Sequence, residues 1–425
     1  MPPPPAPDSK WVTALSILSR FSGVKDIATV RFSLPAHLLE RILFPKASLT
    51  TAIPNLEYWG YLDCPDYFAA IPDPPSPFLR MLACVRWSFT KDIKFFGKVC
   101  KPYNSVLGEF FRCHWDVPHN SSLPPHHSSS TLASSETTTA SESTVTTKST
   151  MPSESGIPPI RISYITEQTC HHPPVSAFVI HCPQKNITAC GMDQISARFT
   201  GAALKISPGQ HNLGIFISCR DNEVYNYTHP TATVSGFLRG APYITVEGSA
   251  TISCPATKVK TIISYLEEKW IGKPKFQVQG LVFEYDPSND DIHKLKNVPA
   301  DKILAHIHGS WRSKIKYTLT DSTDSHVLID LTDLTAAPKI IPPLEKQLPH
   351  ESQRVWQHVT EALQKAQYSH ATKMKNLVEE HQRQQATQRK MNNESWVPRY
   401  FSLPILDGKP TLSPEVGLSL FEILH

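Results

Sequence analysis

Residues 161–180 read Arg161-Ile-Ser-Tyr-Ile-Thr-Glu-Gln-Thr-Cys-His-His-Pro-Pro-Val-Ser-Ala-Phe-Val-Ile180, and this stretch decides the fold. Its two ends, Arg161-Ile-Ser-Tyr-Ile165 and Val175-Ser-Ala-Phe-Val-Ile180, are rich in β-branched and aromatic residues and read as strands. The middle, Glu167-Gln-Thr-Cys-His-His-Pro-Pro174, reads as the connection between them. Two adjacent histidines cannot both face one side of a regular strand. Pro173 and Pro174 remove two backbone donors and stiffen the chain around them, so the connection is a rigid turn.

Working outward, the same texture runs from Ile160 to about Tyr317. Thr231-Ala-Thr-Val234 and Tyr243-Ile-Thr-Val246 are further short runs, set off by Gly, Pro, Asn and Asp. Many short strands at close spacing predict an antiparallel barrel or sandwich. Gly-x-Gly phosphate loops are missing, which argues against a nucleotide-binding α/β fold. Helical patterns bracket the β region. Residues 55–100 carry them around the turn-like Ile71-Pro-Asp-Pro-Pro-Ser-Pro77, with Leu79, Leu82, Val85 and Phe89 at helical spacing after it. After Glu351 the pattern is helical again to roughly Asn392.

Near the N-terminus, Trp11, Leu15 and Leu18 recur at helical spacing, with Phe21 beside them, between a Ser9 cap and a Gly23 stop. A helix this short is marginal alone in water. Its apolar face either docks permanently on the core or closes as a flap over a cavity. Between Ser121 and Ser155, 20 of 35 residues are Ser or Thr, too few apolar side chains to offset ordering entropy, so residues 118–156 read as a disordered insert. Residues 1–8 read likewise, and residues 402–425 as a tail, leaving 9–401 as one domain.

Composition narrows the class. Of 425 residues, 40% are hydrophobic and 19% charged, and the formal net charge is only +4. That balance does not by itself argue for nucleic acid, whose binders usually show a dense basic face. No run approaches the roughly 20 apolar residues of a membrane-spanning helix, and no basic segment leads an apolar one at the N-terminus. Nine scattered cysteines without a Cys-x-x-Cys pair fit free thiols in a reducing compartment, so a cytoplasmic location is expected. The sequons at Asn120, Asn186, Asn226 and Asn393 are then incidental.

Three segments could carry chemistry. A fixed turn presenting His171 and His172 suits an anion, because a protonated imidazole donates from both nitrogens. Cys170 with the histidines could instead bind metal, though adjacent ligands strain a tetrahedral site and no fourth is evident nearby. Cys170 could be a nucleophile with a histidine base, although direct adjacency rarely gives that geometry. Or the histidines serve only the turn's own hydrogen bonds. The second segment, Lys101-Pro-Tyr-Asn-Ser-Val-Leu-Gly-Glu-Phe-Phe111, offers Lys101, Asn104 and a glycine turn ahead of an aromatic strand. The third is Lys375, Glu379 and Arg383, at i, i+4 and i+8 on a predicted helix, where successive pairs drift by only about 40°. They form either a solvated face with Glu379 between two cations, each pair worth about 0.2–0.5 kcal/mol, or a two-cation grip on phosphate that Glu379 orients.

Together, these segments carry a resemblance. Glu167-Gln-Thr-Cys-His-His-Pro-Pro174 closely resembles the fingerprint of the oxysterol-binding protein family, usually EQxSHHPP. Lys101-Pro-Tyr-Asn104 followed by Leu107-Gly-Glu109 is similar to its second hallmark, KPxNPxxGE. The Lys375, Glu379 and Arg383 spacing is similar to its C-terminal phosphate-binding helix.

The resemblance implies an incomplete antiparallel β-barrel around an apolar lipid tunnel, with flanking helices and an N-terminal lid that Trp11, Leu15, Leu18 and Phe21 would form. It implies a monomeric carrier, not an enzyme, without cofactor or metal, that touches membranes transiently. By resemblance, Lys101, Asn104, His171, His172, Lys375 and Arg383 contact the headgroup of phosphatidylinositol 4-phosphate, with Glu379 in support. Sterol is the expected exchange partner, and phosphatidylserine or a signalling role without bulk transfer is the alternative. Two departures from the family pattern stand out: Cys170 replaces the usual serine, and Ser105 the usual proline.

Overall fold

The computed structural model describes residues 53–96, 102–119, 158–201, 203–220, 222–235, 243–268 and 275–414, except for the Phe95 side chain. Lid residues 9–23, Lys101 and most of the Ser/Thr-rich insert lie outside the described residues.

Among the described residues, fifteen strands make one antiparallel sheet. In chain order they are β1 (Phe110–Val117), β2 (Ile160–His171), β3 (Pro174–Cys182), β4 (Ile187–Asp193), β5 (Ile195–Phe199), β6 (Leu204–Pro208), β7 (Ile215–Cys219) and β8 (Glu223–Tyr227). Then come β9 (Thr231–Ser235), β10 (Tyr243–Cys254), β11 (Val259–Tyr265), β12 (Gln277–Glu284), β13 (Ile303–Ser310), β14 (Lys314–Leu319) and β15 (Ser325–Asp330). The main path runs β1-β2-β3-β4-β7-β8-β10-β11-β12-β13-β14-β15 and does not close on itself, as expected of an incomplete barrel. Strands β5, β6 and β9 form a flap off this path, joined to the first half of β10. Gly248, with φ of +83°, sits where β10 passes from flap to barrel, a backbone geometry that favours glycine.

Alternation of direction assigns the loops to two ends. Strands β2, β4, β8, β11, β13 and β15 all run toward one rim. That rim therefore carries the 171–174 turn, the β5–β6 hairpin, the β11–β12 connection and the 311–313 turn. It also carries residues 102–109, which lead into β1.

A sheet edge is a hazard unless it is covered. Along β1 the free edge is taken up by residues 340–350: the His114 and Ile340 amides donate to each other's carbonyls at 3.0 and 2.9 Å, and the Phe110 amide donates to the His350 carbonyl at 3.0 Å.

Five helices accompany the sheet among the described residues: α1 (Asn55–Tyr58), α2 (Pro65–Ala69), α3 (Pro77–Thr90), α4 (Ser352–Gln364) and α5 (Tyr368–Met391). Helix α3 starts as its sequence dictates, with Pro77 at the first position and the Ser76 hydroxyl accepting from the Leu79 amide at 3.2 Å. From Arg80 onward every residue of α3 is buried. It packs on β10, β11 and β15 as part of the main apolar core, along with Phe111, Ile162, Ile252 and Ile263. Each such side chain contributes about 1.5–3 kcal/mol by leaving water. Arg80 enters this core with a bidentate partner, Glu223.

The helical pattern after Glu351 is two helices. Ala366, with φ of +55°, ends α4, and its amide donates to the Leu363 carbonyl at 2.9 Å. Residues 402–412 stay with the domain, against the expectation of a separate tail from 402. The backbone pairs Phe401 with Leu412, and Tyr400, Phe401, Ile405 and Leu412 join an apolar cluster against Phe110, Val175 and Met192. Apolar anchors, invisible as a periodic pattern, place the edge of the domain beyond residue 401.

Candidate functional site

The 161–180 stretch folds as the hairpin β2–β3, with His171 opposite Pro174 and a cis peptide between His172 and Pro173 at its tip. A cis-proline at the third position is the hallmark of a type VI turn. The two imidazole centroids lie 4.6 Å apart with planes at 59°, His171 half-buried and His172 exposed. One extra residue, Thr169, is bulged out between the Gln168 and Cys170 pairings, which re-aims the end of β2. Cys170, half-buried, lies against the cluster of Phe110, Val175 and Tyr400.

The residues before the histidines act as clamps. The Glu167 carboxylate accepts the Arg399 and Tyr400 amides, both at 2.9 Å, fastening the tail to β2. The Gln168 side chain donates to the Cys170 carbonyl at 2.7 Å and accepts from the Ser176 hydroxyl at 2.8 Å, bracing the turn from within. Its backbone reaches the second segment: the Gly108 amide donates to the Gln168 carbonyl at 3.0 Å, and the Gln168 amide to the Glu109 carbonyl at 2.8 Å.

Glu109, fully buried, organises that segment. Its carboxylate accepts the Val106 amide at 2.9 Å, the Ser352 hydroxyl at 2.7 Å and the Trp356 indole N–H at 3.0 Å. Burial raises its pKa to about 7 against the pull of these donors. Gly108 takes φ of +76°, with the Trp396 ring occupying the space a Cβ would need. Helix α5 joins through Gln382, whose side-chain oxygen accepts the Leu107 amide at 2.7 Å. One hydrogen-bonded chain thus links α5, the 102–109 loop and the histidine turn.

On α5, buried Lys375 pairs with Glu379 at 2.5 Å. Arg383 is exposed and pairs with Glu380 at 2.9 Å, so the partner assigned to it by i, i+4 spacing is displaced by one at i, i+3. Asn104 is exposed at the loop's start. The structure therefore brings the His171/His172 turn, the Asn104 loop and the Lys375–Arg383 face of α5 into one connected frame.

Two features escaped the motifs. A cleft of about 450 Å³ opens beside the turn, lined by His172, Pro173 and, from the β5–β6 hairpin, Gln194, Ser196, Ser207 and Gln210. The second is a largely buried charged cluster. Lys91 pairs with Asp92 and sits 5.1 Å above both the Tyr61 and Tyr227 rings. Lys94 bridges Asp63 and Asp92 at 3.0 and 3.3 Å, and the Tyr61 hydroxyl donates to Asp193 at 2.5 Å. Burial raises Asp92, but the Lys91 and Lys94 charges outweigh it and hold it at about 2, while burial pushes Asp193 up to about 7. Tyr61 and Asp193 are 132 residues apart, so no local spacing could reveal them. Among the described residues no group of three or more His, Cys, Asp or Glu is arranged to hold a metal ion.

An unclosed antiparallel barrel whose rim holds two imidazoles, a glycine-turned loop and a cationic helix defines the class, a barrel of the oxysterol-binding type. The oxysterol-binding protein family model matches residues 15–361, and the chain belongs to that family. It is 41% identical to oxysterol-binding protein-like protein 1 of Schizosaccharomyces pombe, across 96% of this chain and 90% of that one. It is 27% identical to human oxysterol-binding protein-related protein 10, of which it spans 41%. Among solved structures it resembles the Osh1 ORD domain in complex with cholesterol, at 17% identity and a TM-score of 0.64, over 97% of this chain and 88% of that one. It also resembles the Osh3 ORD of Saccharomyces cerevisiae in complex with PI(4)P, at 16% identity and a TM-score of 0.59, over 94% and 90%.

Proposed function

We infer that this protein is a lipid carrier that binds phosphatidylinositol 4-phosphate and a second lipid, sterol, in one tunnel and exchanges them between membranes. The observation that carries the reading is the histidine turn, held by Gln168 to the Gly108–Glu109 loop and, through Leu107 and Gln382, to α5. A phosphomonoester needs several charge-assisted donors from separate elements, and this frame ties together the elements that carry them. His171, His172, Lys375 and Arg383 supply the donors, with Asn104 at the loop, Lys101 three residues before it in sequence, and Glu379 orienting Lys375. The cleft lined by Gln194, Ser196, Ser207 and Gln210 gives an inositol ring polar neighbours.

The lipid's apolar part would lie in the barrel, worth about 25 cal/mol per Å² removed from water. No covalent step is involved, so the protein is a carrier and not an enzyme. It works in the cytoplasm as a monomer, peripherally and transiently on membranes. The relatives' bound ligands, sterol for Osh1 and PI(4)P for Osh3, support the pairing. The test is to incubate the purified protein with liposomes carrying phosphatidylinositol 4-phosphate, labelled sterol and, separately, labelled phosphatidylserine. Extraction of the phosphoinositide with sterol as competitor is expected. Competition by phosphatidylserine alone would replace sterol as the partner, and extraction of no lipid would overturn the carrier reading.

A further inference from the structure

The 311–313 turn lies on the same rim as the histidines, between β13 and β14, and it carries a cation with no acid paired to it among the described residues. The Arg312 guanidinium stacks 4.1 Å from the Phe276 ring centroid and 4.9 Å from that of Trp311. Its Nη2 donates to the Ile244 carbonyl at 3.3 Å, while its Nε is buried without a hydrogen-bond partner among the described residues. The nearby Glu268 carboxylate is occupied by the Lys275 and Phe276 amides, at 2.7 and 2.6 Å. A buried donor left unmade on a charged group is costly.

Arg312 opens onto a cleft of about 440 Å³. Phe96, Leu331 and Leu334 give it an apolar wall. Lys94, also in the lining, is engaged by Asp63 and Asp92, so its charge is answered inside the protein. What the cleft offers is one guanidinium at its edge and a hydrocarbon surface below it.

We propose that this cleft is a second oxyanion site on the rim, separate from the histidine turn, that takes the phosphodiester of an anionic glycerophospholipid. The guanidinium fork meets two phosphate oxygens, as its planar geometry favours. The first carbons of an acyl chain run over Leu331 and Leu334. The site shares no residue with the histidine turn and rests on the carrier reading only for the membrane as the source of its anion.

Full-length protein tests this by ¹H–¹⁵N spectra of arginine Nε groups, where a buried Nε–H gives a resolved resonance that Arg312→Gln identifies by its loss. Inorganic phosphate, soluble short-chain phosphatidylglycerol and short-chain phosphatidylcholine are titrated separately. Flotation with phosphatidylcholine vesicles, with and without phosphatidylglycerol, supplies the affinity. The Arg312 resonance is expected to move saturably with phosphatidylglycerol and much less with phosphatidylcholine. Arg312→Gln should weaken binding to the anionic vesicles by about a hundredfold, two charge-assisted hydrogen bonds. Arg312→Lys, which keeps charge but not the fork, should fall between. The same shift in His171→Ala/His172→Ala protein would show that the two sites are independent. An unmoved resonance, or equal vesicle binding by Arg312→Gln, overturns the proposal. Movement with inorganic phosphate but with neither lipid overturns the lipid assignment.

Discussion

Glu109→Gln separates the electrostatic part of the frame from its shape. The side chain is fully buried and accepts three donors, yet burial lifts its pKa from the usual 4.5 to about 7. An acid with a raised folded pKa gives stability that is fully present below about pH 4.5 and is lost as pH rises through about 7. Ionising it in the fold is then about 3 kcal/mol harder than in the unfolded chain. Glutamine keeps the shape but has a single acceptor oxygen, so one of the three donors loses its partner, at about 1–3 kcal/mol. At about pH 5 the variant should therefore be less stable than wild type. By about pH 8 the difference should have moved in glutamine's favour by about 3 kcal/mol, enough to cancel or reverse it. Urea unfolding of both proteins across that range gives the difference directly, and titrations elsewhere in the fold cancel from it. A difference that stays flat from pH 5 to 8 would refute a perturbed Glu109 carboxyl.

The same frame sets the outcome of three other substitutions. Arg112→Ala strands Glu351, which is 2% exposed and accepts from the Arg112 Nε and Nη2 at 3.2 and 2.9 Å, and should lower unfolding free energy by about 3–5 kcal/mol in the same urea assay. Gly108→Ala meets both a positive φ and the Trp396 ring. It should cost about 1–3 kcal/mol and impair phosphoinositide extraction by displacing the loop. Cys170→Ser changes a half-buried, apolar-packed thiol for a hydroxyl. Extraction should stay within about twofold of wild type, since a hydroxyl in that half-buried position costs little; complete loss would revive a nucleophilic cysteine.

How far the sequence could be read depended on the range of the interaction. The hairpin around His171 was legible because strand texture and proline chemistry are local. Helix α3 was legible in the spacing of Leu79, Leu82, Val85 and Phe89 after the proline-rich turn. Gly108 and Glu109 stood out by resemblance to the family's second hallmark, but Glu109's partners Ser352 and Trp356 are more than 240 residues away, so its clamping role was hidden. The Lys91–Asp92–Lys94 cluster is assembled by tertiary packing with Asp63, which no local pattern announces. Arg383 took Glu380 in place of Glu379 because periodicity places side chains on a face without choosing between neighbouring acids. The break at Ala366 carries no glycine or proline to announce it, and the tail's return to the barrel depends on isolated apolar anchors.

The most direct measurement is phosphatidylinositol 4-phosphate extraction from liposomes by wild type and by His171→Ala/His172→Ala, with urea unfolding of both as control. Wild type should extract the lipid. The double variant should lose at least about a hundredfold in affinity, as two charge-assisted hydrogen bonds to phosphate require, with an unchanged unfolding midpoint. Extraction by the double variant equal to that of wild type would contradict the assignment of the headgroup to the histidine turn.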